Sequence, residues 1–183
     1  MKIVALVGMP GSGKTEAVKF AVDNGFYRVY FGDITMEAVK EAGLPINEAN
    51  ERSMREQIRK AHGMDAYAKL SLPKIEEGLR KVGKVVIESM YSFEEYMLLK
   101  KKFGNGFIVI AIYASPKVRY SRLGNRPIRP LTPKECESRD VAQLENLHQG
   151  GPIAMADFTI INEGSFEELE RSIKNLIESF VKK

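Results

Sequence analysis

The sequence has one cysteine, Cys136, no tryptophan and two histidines. A single thiol cannot form an internal disulfide, and the sequence has no group of cysteines and histidines that would predict a metal site. The longest apolar run, residues 107–114, has eight residues, whereas a membrane-spanning helix needs about 20. The opening apolar run, 3–7, is also too short for the core of a signal peptide. We therefore expect a cytoplasmic protein without disulfides or a metal cluster.

The composition is that of an ordinary globular protein. Of the 183 residues, 44% are hydrophobic and 28% are charged, which excludes a mainly disordered chain, and the length suits one domain. Lys and Arg outnumber Asp and Glu by 28 to 24, so the net charge is +4. This excess suits a ligand that carries phosphates, but it is too small to indicate nucleic-acid binding by itself.

Short runs rich in β-branched and aromatic residues alternate with longer segments of helical character. Several of the short runs are apolar at every position, which is typical of strands covered on both faces of a parallel sheet. The predicted strands are 3–7, 27–31, 84–87, 107–113 and 158–161. The predicted helices are 14–23, 34–42, 47–62, 65–81, 93–103, 116–123, 133–148 and 166–181, the last with a capping box of Ser165 and Glu168. This alternation predicts an α/β fold with a doubly wound parallel sheet.

Two segments interrupt the alternation. Residues 33–80 form nearly fifty residues of predicted helix without a strand, and residues 124–136 hold three of the eight prolines. We expect one domain with a helical insertion in the first segment and a loop or lid in the second.

Residues 8–15, GMPGSGKT, match the phosphate-loop motif G-x-x-x-x-G-K-[ST] and lie between a predicted strand and a predicted helix. The glycines allow the backbone N–H groups to turn towards a phosphate, and the helix N-terminus adds partial positive charge. Lys14 is expected to reach the terminal phosphates of ATP, and the Thr15 hydroxyl to bind Mg²⁺. The residues predicted to hold the nucleotide are Gly8, Gly11, Ser12, Gly13, Lys14 and Thr15.

Three further polar residues stand at the ends of predicted strands, where ligands bind in open α/β sheets. Glu88 is a candidate to hold Mg²⁺, and Asp33 is a candidate to position or deprotonate an acceptor. For both, a helix cap or a solvated loop acid is the alternative. Asn162 could present its backbone to an adenine ring, with an ordinary strand-to-helix turn as the alternative.

These motifs resemble the nucleoside-monophosphate kinase group, which includes adenylate kinase and dephospho-coenzyme A kinase. The resemblance rests on residues 8–15, on the FGD of residues 31–33 and on the ADFTIINEGS of residues 156–165. Residues 63–66, 114–116 and 162–165 are similar to those of an uncharacterised family of archaeal adenylate-kinase-like P-loop proteins. The resemblance covers nearly the whole chain. It implies a five-stranded parallel sheet, an acceptor-binding helical insertion at about 33–80 and a lid at about 119–139.

The predicted lid region is rich in arginine. Residues 117–139 contain seven basic residues and two acids. The resemblance implies that Arg119 or Arg122 packs on the adenine and that Arg126 contacts phosphates. It also implies that Arg122 and Arg139 neutralise the transferred phosphoryl group. A solvated basic loop, or a patch for RNA, is the alternative.

The sequence departs from this group at the positions that bind the acceptor's phosphate. Members of the group carry one arginine shortly after the Gly-Asp pair and another after the third strand, whereas this chain has Met36 and Tyr91. Neither side chain can form the bidentate fork of an arginine. Arg55 or Arg59 in the helical insertion could substitute, so the acceptor stays open.

Two functions of different classes follow from these observations. The first is an ATP- and Mg²⁺-dependent phosphotransferase that acts on a nucleotide or a coenzyme-like small molecule. The second is an ATP-binding regulatory module, or a slow ATPase without a nucleoside-monophosphate acceptor. A GTPase is disfavoured because the Asn-Lys-x-Asp guanine motif is missing from the sequence.

Overall fold

The computed structural model describes residues 2–181. Its strands form a five-stranded sheet in which every neighbouring pair is parallel, in the order β2-β3-β1-β4-β5. The strands are β1 Lys2–Val7, β2 Tyr27–Tyr30, β3 Lys84–Glu88, β4 Phe107–Tyr113 and β5 Phe158–Ile161. The predicted α/β fold with a five-stranded parallel sheet is therefore confirmed.

All eight predicted helices are present, and their ends differ from the predicted ones by at most two residues. They are α1 Lys14–Asp23, α2 Gly32–Glu41, α3 Glu48–His62, α4 Ala66–Val82, α5 Phe93–Phe103, α6 Pro116–Gly124, α7 Pro133–Leu147 and α9 Phe166–Val181. A short helix that the pattern does not predict, α8, covers Gly150–Ala154. Its sequence GGPIA contains glycine and proline, which favour turns, so the sequence pattern does not predict this helix. The predicted capping box is present, because Glu168 N–H donates to Ser165 Oγ at 3.3 Å and Ser165 N–H to the Glu168 carboxylate at 3.1 Å.

Both faces of the sheet are covered, as the all-apolar strands require. Val4 of β1 belongs to a buried cluster that includes residues of α1 and α9. Its neighbour Ile3 belongs to a second cluster, which includes residues of α4 and α5 on the opposite face. Within residues 2–181, no helix combines the length and the apolarity needed to cross a membrane.

The strand order places a candidate site at one edge of the sheet. Strands β2 and β3 lie on one side of β1, and β4 and β5 lie on the other. In open parallel sheets, ligands bind at the carboxyl ends of the strands where the order reverses in this way. The turn at residues 8–13 follows β1, the turn that begins at Ser89 follows β3, and the turn that begins at Ala114 follows β4. These three turns frame the site.

The two predicted interruptions lie beside these turns. The segment 33–80 contains α3 and most of α2 and α4, and none of its residues is in a strand. The predicted lid, 119–139, consists of most of α6, the irregular segment 125–132 and the first half of α7.

Candidate active site

The turn after β1 has the backbone conformation of an anion-binding loop. Gly11 and Gly13 have positive φ angles of 79° and 100°, which glycine adopts without strain. A side chain at Gly11 would also lie about 2.8 Å from the carbonyl oxygen of Arg119. Gly13 caps the N-terminus of α1, and no side chain accepts a hydrogen bond from the first turn of this helix. The positive end of the helix dipole is therefore left to a ligand.

Two side chains of the loop complete its polar surface. Ser12 is buried, and its Oγ has no hydrogen-bond partner among the described residues. Lys14 Nζ donates to the carbonyl oxygens of Gly8 at 2.6 Å and Met9 at 2.9 Å. Burial, together with the positive charges of Arg139, Arg119 and Arg126, lowers the pKa of Lys14 to about 8. The loop fits a phosphate, which would supply the charge and the acceptors that this lysine lacks.

A buried ion pair holds the loop in place. Arg119, at 4% exposure, makes a bidentate pair with Asp140 of α7, with Nη1–Oδ1 and Nη2–Oδ2 distances of 2.9 and 2.6 Å. The same guanidinium donates to the carbonyl oxygen of Pro10 in the loop and to that of Ala114 after β4, each at 3.1 Å. Arg119 thus joins the loop, the end of β4 and α7. Because Arg119 is buried, little of its guanidinium face is left for the expected contact with adenine.

Two buried amides hold the loop from other directions. Gln149 Nε2 donates to the Gly8 carbonyl oxygen at 2.8 Å, and Asn162 Nδ2 donates to that of Ser12 at 2.8 Å. Arg122 in turn donates from Nη1 to the Asn162 carbonyl oxygen at 3.0 Å. Asn162 was expected to present its backbone to a base, yet its backbone oxygen is engaged by Arg122 and its side chain supports the loop. Sequence reasoning missed Gln149 because its partner lies 141 residues away.

The remaining lid arginines face the same region of space as Lys14. Arg126 and Arg139 are exposed, and both lower the pKa of Lys14 through their charge. Burial and the charge of Arg139 lower the pKa of Arg126 itself. Three positive side chains therefore converge without an acidic partner close enough for an ion pair among the described residues. Such a cluster suits the oxygens of a polyphosphate.

The two predicted carboxylates are in different situations. Glu88 ends β3, and its charge raises the pKa of Lys14 slightly, against the larger effect of burial. Its Oε2 pairs with Arg28, at 2.7 Å from Nε and 2.5 Å from Nη2. Thr15, the other predicted Mg²⁺ ligand, is exposed in the first turn of α1. Residues 2–181 hold no group of three or more His, Cys, Asp or Glu side chains suited to a metal ion.

Asp33 lies apart from this arrangement. Its Oδ2 accepts a hydrogen bond from Lys74 Nζ of α4 at 2.6 Å, and the residue does not line the cleft described below. The expectation that Asp33 would position or deprotonate the acceptor does not fit this geometry, because the carboxylate is bound by Lys74 and does not line the cleft.

A cleft of about 1080 Å³ opens between the helical insertion and the lid. Its walls come from α2 and α3 on one side, from the lid segment and α7 on the other, and from the turn after β3. Met36 and Tyr91, which occupy the positions of the expected arginines, both line it. The charged residues of its lining are Glu48, Glu51, Arg52, Arg55, Glu56, Arg59, Arg126, Arg129 and Arg139.

One wall of the cleft rests on a buried polar cluster. Glu95 is fully buried in the first turn of α5, and its Oε2 accepts hydrogen bonds from the N–H groups of Tyr91 at 2.8 Å and Ser92 at 3.1 Å. Burial raises the pKa of Glu95 to about 7, although these two hydrogen bonds and Arg59 act in the opposite direction. Glu95 also forms the capping box that begins α5 together with Ser92, and nothing in the local sequence pattern reveals its burial.

Comparisons with other proteins agree with this architecture. A family model described as an AAA domain matches residues 4–145. The chain is 36% identical over 183 residues to a UPF0200 protein of Thermococcus gammatolerans, across 98% of this chain and 96% of that one. It is 37% identical over 179 residues to a UPF0200 protein of Methanoculleus marisnigri, across 97% and 96%. The archaeal family suggested by the sequence motifs is thus confirmed.

Solved structures share the fold at low sequence identity. TT1252 from Thermus thermophilus superposes with a TM-score of 0.69 and 16% identity, covering 98% of this chain and 97% of that one. A shikimate kinase from Acinetobacter baumannii in complex with shikimate has a TM-score of 0.57 and 17% identity, covering 98% and 94%. The chain therefore shares the fold of these two proteins.

The first prediction concerns the pH dependence of stability that Glu95 creates. The pKa of this carboxyl is 4.5 when it is unfolded and about 7 when it is folded, so between these pH values the folded protein binds more protons than the unfolded one. The free energy of unfolding therefore falls as the pH rises from about 5 to about 8. Glu95→Gln lacks this titration. Between pH 5 and pH 8 its free energy of unfolding should therefore rise relative to that of the wild type by roughly 2 kcal/mol. Urea denaturation at pH 5 and pH 8 measures the difference.

The exposed substitution Glu170→Gln is the control. Equal dependence of the free energy of unfolding on pH in the wild type and in Glu95→Gln would contradict the prediction.

The second prediction concerns the pair that holds the loop. Asp140→Ala leaves the buried Arg119 guanidinium without its carboxylate, so we expect a loss of about 3–5 kcal/mol in the free energy of unfolding. Tyr120→Phe is the matched control, since it removes only the 3.1 Å hydrogen bond from Tyr120 to Asp140 and should lose roughly 1 kcal/mol. Chemical denaturation of both variants gives the comparison. Similar small losses would show that the ion pair does not stabilise the loop.

Proposed function

The chain belongs to the UPF0200 family, and we propose that it is an ATP-dependent phosphotransferase that acts on a small molecule bound in the cleft. The observation that carries this proposal is the position of Arg126 and Arg139. Both line the cleft, and both lie close enough to Lys14 to lower its pKa. The phosphate loop and the cleft therefore share one set of positive charges, as a donor site and an acceptor site require.

In the proposed reaction, residues Gly8–Gly13 hold the donor phosphates through their backbone N–H groups. Lys14, which binds the Gly8 and Met9 carbonyl oxygens in the free protein, turns to the terminal phosphates. An acceptor oxygen forms a bond to the γ-phosphorus, and the bond from this phosphorus to the bridging oxygen breaks. The nucleoside diphosphate leaves with the electron pair, and the acceptor's proton passes to water. Arg126 and Arg139 stabilise the charge on the transferred oxygens, so no covalent enzyme intermediate is needed.

A magnesium ion fits the same arrangement. Thr15 would hold it through its hydroxyl, and Glu88 at the end of β3 through a water molecule. When bound, the ion neutralises charge on the donor phosphates. The Arg28 guanidinium holds Glu88 in place and shares its carboxylate.

We assign supporting roles to Arg119 and Asn162, because their side chains bind carbonyl oxygens of the loop. The buried Gln149 has the same role. Arg122 supports Asn162 by binding its carbonyl oxygen. Catalysis by Asp33 is not part of the proposal, because its carboxylate pairs with Lys74. A carboxylate at the reacting oxygen is not required when the transition state is loose and positioning supplies most of the rate.

The acceptor is proposed to be a nucleotide or a coenzyme-like small molecule. The cleft volume is of the size that binds such ligands, and the shikimate kinase among the structural neighbours is described with a small molecule bound. The sequence resemblance to adenylate kinase and dephospho-coenzyme A kinase points in the same direction. The protein is proposed to act in the cytoplasm.

A second function is favoured by Met36 and Tyr91. These side chains line the cleft where phosphate-binding arginines were expected, which favours an ATP-binding regulatory module or a slow ATPase. Measuring ATP consumption with and without a panel of acceptors separates the two. Acceptor-dependent turnover supports the transferase, and slow turnover that no acceptor changes supports the module.

The substitution Lys14→Ala tests the donor site. We expect it to reduce acceptor-dependent ATP turnover by at least about 100-fold, because the charge on the terminal phosphates is then left unmatched. Far-UV circular dichroism should show a retained fold. Lys19→Ala, which removes an exposed lysine of the same helix, is the control and should turn over ATP as the wild type does. Unchanged turnover in Lys14→Ala would contradict the proposed function.

The lowered pKa of Lys14 predicts proton uptake on nucleotide binding. In the free protein this pKa is about 8, and a bound polyphosphate raises it, so binding at pH 8.5 should take up protons. Affinity for a non-hydrolysable ATP analogue should accordingly fall as the pH rises above about 8. Isothermal titration in two buffers of different ionisation enthalpy measures the uptake. Equal binding enthalpies in both buffers at pH 8.5 would contradict the prediction.

A further inference from the structure

Arg59, in the last turn of α3, is a charged group without a hydrogen bond. Its side chain is 11% exposed and lines the cleft, and its Nε is buried without a hydrogen-bond partner. None of its N–H groups donates to another residue of the described chain. A buried Nε–H group without a partner is unfavourable, and the Nη groups, which lie beside the cleft, have room for an acceptor. The guanidinium is therefore suited to receive an anion from outside the protein.

The nearest protein carboxylate does not form a hydrogen bond with the Arg59 guanidinium. Glu95 Oε1 lies 3.9 Å from Arg59 Nη2, which is too far for a hydrogen bond, and this oxygen is itself buried without a hydrogen-bond partner. Glu95 uses its other oxygen to hold the N–H groups of Tyr91 and Ser92. Because burial raises the pKa of Glu95 to about 7, its carboxyl group is only partly ionised near neutral pH. The positive charge of Arg59 is thus only partly matched by Glu95 near neutral pH.

The guanidinium is nevertheless held in a fixed place. Its central carbon lies 4.7 Å from the centre of the Tyr67 ring, which supports the planar group by a cation–π contact. The Tyr67 hydroxyl is fixed by a 2.7 Å hydrogen bond with Thr35 Oγ1 of α2. Tyr67 and Thr35 both line the cleft. A cation that is oriented in advance by its neighbours binds an anion with little loss of conformational entropy.

The neighbouring arginines of α3 differ from Arg59. Arg55 is paired with Glu48 at 2.8 Å and Glu51 at 3.5 Å, and Arg52 is paired with Glu56 at 3.2 Å. These partners lie on the same helix and satisfy their charges locally. Of the two residues that could replace the missing arginines, the structure therefore favours Arg59 over Arg55.

We propose that Arg59 binds an anionic group of the acceptor, a carboxylate or a phosphate that is separate from the oxygen receiving the phosphoryl group. This inference rests on the proposed function and narrows its acceptor class. It excludes neutral sugars and unphosphorylated nucleosides as the preferred acceptors. Glu95 is a positioning residue, because it holds the turn after β3 and lies behind the guanidinium.

The test observes the Arg59 Nε–Hε signal by ¹⁵N NMR in the full-length wild-type protein. Inorganic phosphate and acetate are added separately, in the presence of a saturating non-hydrolysable ATP analogue and Mg²⁺, at an ionic strength held constant with sodium chloride. We expect a saturable shift of this signal with at least one of the two anions. A response to phosphate alone identifies a phosphorylated acceptor, and a response to acetate alone identifies a carboxylate.

Two variants assign the signal and control for unspecific effects. Arg59→Lys removes the signal and so identifies it, while Lys60→Gln, which removes an exposed charge from the next position of the same helix, should keep both the signal and its response. If Arg59→Lys does not fold, the signal is assigned through bonds in the wild type. For an acceptor that is turned over, Arg59→Gln should raise KM by roughly 10- to 100-fold with a smaller effect on kcat, as expected for a lost charged hydrogen bond.

The outcomes separate this inference from the proposed function. The amide signals of residues 8–13 report on the ATP analogue in the same samples. If these amides respond but neither anion shifts the Arg59 signal, the anion site is refuted and the donor site stands. If the amides do not respond, the proposed phosphotransferase fails, and a saturable Arg59 shift would still establish the anion site.

Discussion

The buried pair of Arg119 and Asp140 is the interaction on which the rest of the site depends. It brings a carboxylate of α7 beneath the phosphate loop and connects both to the end of β4. The loop's glycines permit its backbone conformation, but they do not select it, because glycine is also free to adopt others. Selection comes from the side chains that bind its carbonyl oxygens. Arg119, Gln149 and Asn162 bind three of these oxygens from three different elements. A loop held in this way can keep its N–H groups available for a ligand.

The same pair links the donor loop to the acceptor cleft. Asp140 belongs to α7, and that helix also carries Arg139 and Gln143 on the wall of the cleft. A movement of α7 relative to the loop would therefore strain the ion pair while it displaces Arg139. The irregular segment 125–132 joins the two helices that form this pair, because Arg119 belongs to α6 and Asp140 belongs to α7.

The parts that sequence reasoning predicts are those determined locally. The strand and helix positions follow from periodicity, and the phosphate loop follows from a motif whose glycines, lysine and threonine act within eight residues. The burial of Arg119 beneath the loop, the pairing of Asp33 with Lys74 and the burial of Glu95 could not be predicted in this way. Arg119 meets Asp140 across 21 residues and Asp33 meets Lys74 across 41, and these separations match no helical or strand period. Their side chains look in the sequence like ordinary lid or loop charges.

This difference also explains why the donor end of the site is easier to identify than the acceptor end. The donor end consists mainly of backbone N–H groups, which need a particular chain conformation and so leave a recognisable motif. The proposed acceptor end consists of side chains that line the cleft, where a substitution changes a ligand contact without changing the backbone. Met36 of α2, Arg59 of α3 and Tyr91 in the turn after β3 are such positions. Fold similarity at 16–17% identity therefore carries information about the fold but none about the acceptor. The acceptor has to be deduced from the chemistry of the cleft wall, where an oriented guanidinium whose Nε has no hydrogen-bond partner among the described residues is the most specific feature.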